Sequence, residues 1–307
     1  PGAVPLECPC NWFGSDCRDD WVPVERVEVQ TLGSFKLIRL HVDASAWQTL
    51  LKDFRPGSII RVQRLDAQGV PREQPYALGF GPEGEEGVLE VLAGPPPSGM
   101  HEVVVHVAHH VRQLPGGPSP GLFVNPSVAG FFNGRYQFLR EALATDPLVR
   151  RVVLVSSGVG LSAVKAAILE LAKGSLELHL FYGFRDLEDL PYRSQLEAWV
   201  GSGRLQLTLA VSGSDKKLGG ILQESVDRAS DLESAAKDVA LTSTLKPLMQ
   251  PGKLYPQQAM AIDFLGGPLS KAGATLADTA VVVCGRYELL RDTPKVLEAI
   301  CGLGTAE

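Results

Sequence analysis

The chain has 307 residues, of which 45% are hydrophobic and 21% charged, and a net charge of −6, which is enough length for two ordinary domains with a core each. That charge balance, with no long Lys/Arg cluster, argues against a phosphate-backbone partner, so no nucleic acid is expected. Five cysteines are too few for a disulfide-built fold, and no run reaches the ~18 consecutive apolar residues of a membrane span, which leaves peripheral association as the membrane contact open to it.

Residues 1–20 read as an N-terminal arm. The opening PGAVPLECPC has neither the basic flank nor the apolar run of a secretory signal. Cys8, Cys10 and Cys17 follow a Cys-x-Cys-x6-Cys spacing beside Trp12 and Phe13. No fourth soft ligand stands near them, so the spacing suits a local disulfide or an arm packed on a partner better than a metal, and no metal site is expected.

From Trp21 the pattern has period two. VERVEVQ (24–30) and FKLIRLHV (35–42) flank TLGS as a hairpin with one buried face, and SIIRVQRL (58–65), GVLEVLA (87–93) and HEVVVHVA (101–108) repeat the theme between Gly- and Pro-rich turns. Short strands at this spacing predict an antiparallel barrel or sandwich over 21–147. His101, His106, His109 and His110 cluster there without a carboxylate placed to complete a ligand set.

After about residue 148 the texture changes. RRVVLVSS is a continuous apolar strand, LSAVKAAILELAKG a helix with a glycine stop, LELHLFYGF a strand, LPYRSQLEAWVGSG a helix, RLQLTLAVS a strand and GILQESVDRA a helix; TAVVVCG and ELLRDTPKVLEAI close the chain. Strands alternating with helices predict a doubly wound parallel sheet over 148–307. An inserted segment at about 231–278 is harder to assign. DLESAAKDVALTSTLKPLM suits a helix, and QPGKLYPQQAMAIDFLGGPLSKAGAT reads as irregular or short helical pieces broken by Pro and Gly.

The residues themselves offer one phosphate-binding candidate. SSGVGLSAV, with Gly158, Val159 and Gly160, joins the first α/β strand to its helix, where free N–H groups and the positive dipole end suit a pyrophosphate. On residues alone it reads either as a nucleotide turn or as the tight corner any strand-to-helix connection needs. VSSGVG does not supply a Gly-x-Ser-x-Gly elbow, and no Walker Gly-Lys-Ser/Thr is present.

The order of parts resembles the ferredoxin–NADP reductase superfamily from Trp21 to Gly302. FRPGSIIRVQ resembles its Pro-Gly turn into a barrel strand, QPYALGFGP falls at its Arg-x-Tyr-Ser/Thr flavin signature, and LFVNPSVAGFF resembles the turn that closes its flavin domain. VSSGVGLSAVKAAI is similar to its Gly-x-Gly-x-x-Pro turn, LFYGFRDLEDLPYRSQLEAW to its Tyr-Gly-x-Arg strand end, and VVVCGRYELLRDTPKVLEAI to its Cys-Gly and last helix. The chain looks most like the plastid FAD/NAD(P)-binding oxidoreductases of the fruit-protein branch in plants and algae.

The resemblance implies FAD and NADP or NAD as cofactors. It puts flavin on Gln74, Tyr76, Ala77 and Leu78, with Tyr76 stacking on the ring. Gln74 replaces the phosphate-neutralising arginine and Ala77 the hydroxyl that contacts the reactive flavin nitrogen. It puts nicotinamide pyrophosphate on Gly158, Val159 and Gly160, a ribose 2′-phosphate near Arg185, Ser212, Ser214, Lys216 and Lys217, and nicotinamide beside Cys284 and Gly285, with Cys284 as the catalytic candidate. From the residues alone the lysines equally suit a solvated loop, and Cys284 a small buried residue.

The implied activity is a flavoprotein oxidoreductase passing electrons from NAD(P)H to an acceptor such as a small iron–sulfur protein. The alternative is a degenerate reductase-like docking subunit of a larger photosynthetic complex. Either would sit on the stromal side of the chloroplast.

Overall fold

The computed structural model describes residues 21–54, 58–65, 71–79, 85–94, 122–130, 148–213, 217–238 and 254–304. The histidine-bearing stretch 101–110, the arm with Cys8, Cys10 and Cys17, and Ser214 and Lys216 lie outside them. The chain divides into two compact units: Pro1–Gln30 with Leu37–Arg140, and Thr31–Lys36 with Glu141–Glu307.

The first unit is antiparallel, as its period-two runs predict. Its strands are β1 (Val22–Pro23), β2 (Arg26–Leu32), β3 (Phe35–His41), β4 (Ser58–Leu65), β5 (Pro71–Ala77), β6 (Val88–Ala93) and β7 (Leu122–Gly130), except that the β2–β3 tip, Thr31–Lys36, belongs to the second unit. They form a four-stranded sheet in the order β1-β7-β4-β5 and a three-stranded sheet in the order β2-β3-β6. Gly33, at φ +56°, takes the left-handed conformation that the β2–β3 turn needs. An isolated antiparallel bridge, Leu78 to Val91, joins the end of β5 to β6. Between β3 and β4 the chain forms a helix that the strand pattern does not announce, α1 (Ala44–Asp53), whose N-cap Asp43 accepts from the Ala46 N–H.

The second unit is the parallel class expected from its alternating strands and helices. In chain order it contains β8 (Arg151–Ser157), α2 (Gly160–Leu171), β9 (Glu177–Phe184), α3 (Arg193–Gly201), β10 (Gln206–Val211), α4 (Gln223–Asp238), α5 (Pro256–Gly266), α6 (Pro268–Lys271), β11 (Thr279–Cys284) and α7 (Tyr287–Gly304). The sheet order is β10-β9-β8-β11. The central strand β8 is parallel to both neighbours, with Ser156 opposite Tyr182 on one side and Cys284 on the other. A strand with covered faces has no solvent side to alternate toward, so Val152 to Val155 are all fully buried.

One result departs from the sequence reading and one settles an open choice in it. Helix α2 ends at Ala172, whose N–H returns to the Ile168 and Glu170 carbonyls, and not at a left-handed glycine. Of the two readings of QPGKLYPQQAMAIDFLGGPLSKAGAT, irregular or short helical pieces broken by Pro and Gly, the structure has the helical one: α5 and α6 are separated at Gly267, with Pro268 opening α6, and residues Pro256 to Phe264 of α5 are all buried. It packs with Val153, Val155, Phe181, Leu232 and Val296 in one apolar core. A helix covered on all sides carries no amphipathic stripe, which is why periodicity did not choose between the two readings.

The N-terminal edge of the parallel sheet is closed by charge. Buried Arg151 donates to Glu177 at 2.9 Å and to Asp278 at 3.4 Å, and Arg150 reaches Asp278 at 2.9 Å. Among the described residues no helix is long and apolar enough to cross a membrane.

Candidate functional site

The chain leaves β8 for β9 and β10 on one side, then returns to place β11 on the other. The strand order therefore reverses between β8 and β11, and the connections at their C-terminal ends diverge. In open parallel sheets this is where ligands bind. The turn Gly158–Val159–Gly160 leaves β8 there, and Cys284 and Gly285 end β11 there.

Each glycine of this corner has its own physical reason. Gly158 has φ +55°, a conformation that L side chains resist. Gly160 has ordinary dihedrals but no room: a Cβ would collide with the Cys284 carbonyl oxygen and lie 2.6 Å from its carbon and 2.9 Å from Gly285 Cα. A Cβ on Gly285 would lie 2.5 Å from Ser157 Oγ. The Arg286 N–H also donates to Ser157 Oγ, at 3.4 Å. Backbone thus meets backbone at the head of α2.

That head is bare. Its N-cap, Val159, makes no side-chain capping bond, and the first turn holds no acidic residue. The N–H groups of Leu161 and Ser162 turn back to the Gly158 and Val159 carbonyls at 3.3 and 3.1 Å. Val159 itself is 41% exposed. An uncapped helix start without a carboxylate, approachable by backbone, fits a phosphate.

The other predicted residues separate. Arg185, at the end of β9, is exposed and 3.6 Å from Asp186. The Gly213 N–H donates to the Arg185 carbonyl at 2.7 Å, tying the ends of β9 and β10 together. Ser212 is already engaged, its N–H and hydroxyl both donating to the Phe184 carbonyl at 3.1 and 3.4 Å. Among the described residues, the predicted cations Arg185 and Lys217 are both exposed.

Cys284 is half-buried and free. Burial pushes its thiol up to about 12, so at neutral pH it is a protonated, weakly nucleophilic group.

The flavin candidates lie on β5 in the first unit. Gln74 is opposite Val62, Tyr76 opposite Ile60 and Ala77 opposite Ile59. Tyr76 and Ala77 are half-buried, and burial pushes the Tyr76 phenol above its usual range. Leu78 is fully buried, and its N–H donates to the Ser58 carbonyl at 2.9 Å. Leu78 is thus a core residue whose N–H is already spent.

Sequence reasoning did not single out Tyr182 or Tyr192. Tyr182 donates to the Gly158 carbonyl at 3.1 Å. Tyr192 is a buried non-glycine residue at φ 56°, with Lys165 Nζ 4.2 Å above its ring and Ser162 Oγ 3.4 Å from its hydroxyl. The FYGF strand end signalled the first; a left-handed tyrosine has no sequence signal.

No family model matches the chain, and no curated protein matches it either. Solved structures do. A ferredoxin–NADP+ reductase from Neisseria gonorrhoeae with bound FAD and NADP aligns over 91% of this chain and 90% of its own, at 13% identity and a TM-score of 0.57. A ferredoxin–NADP+ reductase from Plasmodium falciparum with 2'P-AMP aligns over 92% and 94%, at 9% identity and a TM-score of 0.55. The cytochrome b5 reductase domain of Ulva prolifera nitrate reductase aligns over 92% and 94%, at 13% identity and a TM-score of 0.52. Each likeness covers both the antiparallel and the parallel part, and from it the chain takes its classification: it has the fold of the ferredoxin–NADP+ reductases.

Proposed function

We propose that this chain is a flavin-dependent oxidoreductase that draws on NADPH or NADH. The carrying observation is the bare, glycine-built head of α2 at the point where the parallel strand order reverses, in a chain whose fold neighbours include one holding FAD and NADP. When bound, the flavin would accept a hydride from the nicotinamide and relay the electrons to the acceptor.

The chain's own residues do the rest. Gly158, Val159 and Gly160 present backbone to the nicotinamide pyrophosphate, and Arg185 and Lys217 supply cations for a ribose 2′-phosphate. Cys284, kept protonated by burial, closes one side of the nicotinamide position as a neutral polarisable group and takes no charge of its own. Tyr76 offers an aromatic face from β5 to the flavin, and Gln74 holds the strand position at which the flavin motif has its phosphate-neutralising arginine.

Reconstitution with FAD tests this reading. Purified protein mixed with FAD and desalted should retain flavin absorbance in proportion to protein; a colourless product would overturn it.

A second reading rests on Gln74 and Ala77, which carry neither the charge nor the hydroxyl of the flavin motif they resemble. A reductase-like docking subunit of a plastid complex needs neither group. The resemblance to the plastid fruit-protein branch supports a chloroplast stromal location, and a small iron–sulfur protein as acceptor in the enzymatic case. Deleting residues 1–20 should then reduce co-purification with a partner while leaving flavin in place; undiminished co-purification would remove the docking role of the arm.

A further inference from the structure

We propose that Tyr182 is a positioning residue for the dinucleotide diphosphate: its hydroxyl locks the Gly158 peptide so that the head of α2 is preformed before nucleotide arrives. The proposal rests on the nucleotide-binding reading above.

A glycine at φ +55° gains its access to that region by lacking a Cβ, and the same freedom lets it leave. Here both poles of the residue are held by consecutive residues of β9. The Gly158 N–H donates to the Gly183 carbonyl at 3.3 Å. Its carbonyl accepts from Tyr182 Oη at 3.1 Å and from the Leu161 N–H at 3.3 Å. The parallel register makes this reach natural, since Tyr182 and Gly183 lie opposite Ser156 and Ser157, the two residues that lead into the turn.

The phenol has little choice of direction. The Tyr182 ring is fully buried and stacks on Phe184 with centroids 5.4 Å apart and planes 17° apart. A buried hydroxyl needs a partner, and Tyr182 finds it on the one glycine whose conformation sets the exit from β8.

With the Gly158 carbonyl fixed, the N–H groups of Val159 and Gly160 are the ones the turn offers to an anion. Ser162, on the first turn of α2, meets the Tyr192 hydroxyl at 3.4 Å, and Lys165 covers the Tyr192 ring at 4.2 Å. These contacts hold the helix while Tyr182 holds the turn. Holding the turn in advance removes ordering cost from the binding step.

Tyr182→Phe keeps the ring and deletes only the hydroxyl, so it separates positioning from packing. NADPH and adenosine 2′-monophosphate, which has no diphosphate, are titrated against both proteins, and steady-state turnover of FAD-loaded protein is measured with an artificial acceptor. The expected result is a rise in the NADPH Kd and KM of about three- to tenfold, with kcat and the Kd for adenosine 2′-monophosphate unchanged. An NADPH Kd within twofold of wild type, or equal weakening toward both ligands, would overturn the proposal. Wild-type protein that binds NADPH no better than the monophosphate overturns the nucleotide reading and the positioning role with it, a result distinct from a variant that merely matches a binding-competent wild type. Amide exchange on the unmodified protein gives a readout that does not depend on the variant folding. The amides of Gly158 and Leu161 should already be protected without nucleotide, and protection that appears only on NADPH binding would contradict a preformed turn.

Discussion

Gly160 rests against the carbonyl of Cys284: a Cβ at position 160 would lie 2.6 Å from that carbonyl carbon. The contact joins the first residue of α2 to the last residue of β11, so the corner of the proposed nucleotide site is set by backbone touching backbone. Neighbouring glycines there should respond differently to the same substitution.

Gly160→Ala has no rotamer to choose and nothing flexible to push, since the colliding atoms belong to Cys284 and Gly285 backbone. It should lower stability by about 1–3 kcal/mol, the usual cost of overpacking, and abolish high-affinity NADPH binding. Among the described residues Gly158→Ala meets only the Phe35 ring, at an ordinary contact distance of 3.9 Å, so its expected cost is that of the left-handed backbone, about 1 kcal/mol. Urea unfolding and NADPH titration of the two variants check the order; an equally tolerant Gly160 would show that the corner can relax.

Burial that holds the Cys284 thiol near 12 makes a kinetic prediction. Iodoacetamide at pH 8 should leave Cys284 unmodified in folded protein and modify exposed Cys301, with Cys284 labelled only after denaturation. Peptide mass spectrometry reads this directly, and rapid labelling of native Cys284 would mean an accessible thiolate.

His179 gives the second unit an acid-sensitive fold. Burial first, and then Arg151 against the opposing pull of Glu177, lower its imidazole to about 4. Its Nε2 is buried without a hydrogen-bond partner among the described residues. The unfolded chain, with an ordinary imidazole near 6.5, binds the proton first as pH falls. Stability from this residue is therefore intact above about pH 6.5 and declines between there and about pH 4. Urea unfolding should show a loss of about 2 kcal/mol between pH 7 and pH 5, and His179→Gln should remove most of that slope. An unchanged slope in the variant would place the acid sensitivity elsewhere.

Arg185 is the exposed cation at the end of β9. If it meets a ribose 2′-phosphate, Arg185→Ala should raise the NADPH Kd about fivefold, a modest loss because a solvated charge pair is weak, and leave NADH unaffected. Equal changes for both nucleotides would remove Arg185 from discrimination.

Much of the fold was legible because burial writes itself into periodicity. The alternation in FKLIRLH and the unbroken VVLV of β8 report one covered face and two. Helix α5 was one of two open readings for the reason that makes it central: Pro256 to Phe264 are buried on every side, so no polar stripe marks the helix. Helix α1 did carry a signal, an Asp43 cap ahead of AWQTLLK, hidden among strands. At the proposed site, SSGVG and VVVCG meet at one corner of the parallel sheet, yet which glycine is steric and which conformational depends on Cys284 lying across from Gly160, more than 120 residues away in the chain. The Tyr182 hydroxyl and left-handed Tyr192 act through tertiary contacts that no local pattern records.

Anaerobic mixing of FAD-loaded protein with a small excess of NADPH, followed by visible absorbance, tests the redox assignment most directly. The oxidised flavin bands should bleach within the mixing experiment and return when an electron acceptor is admitted. Flavin that stays oxidised under NADPH and under NADH would contradict an oxidoreductase and leave a protein that holds the fold without its chemistry.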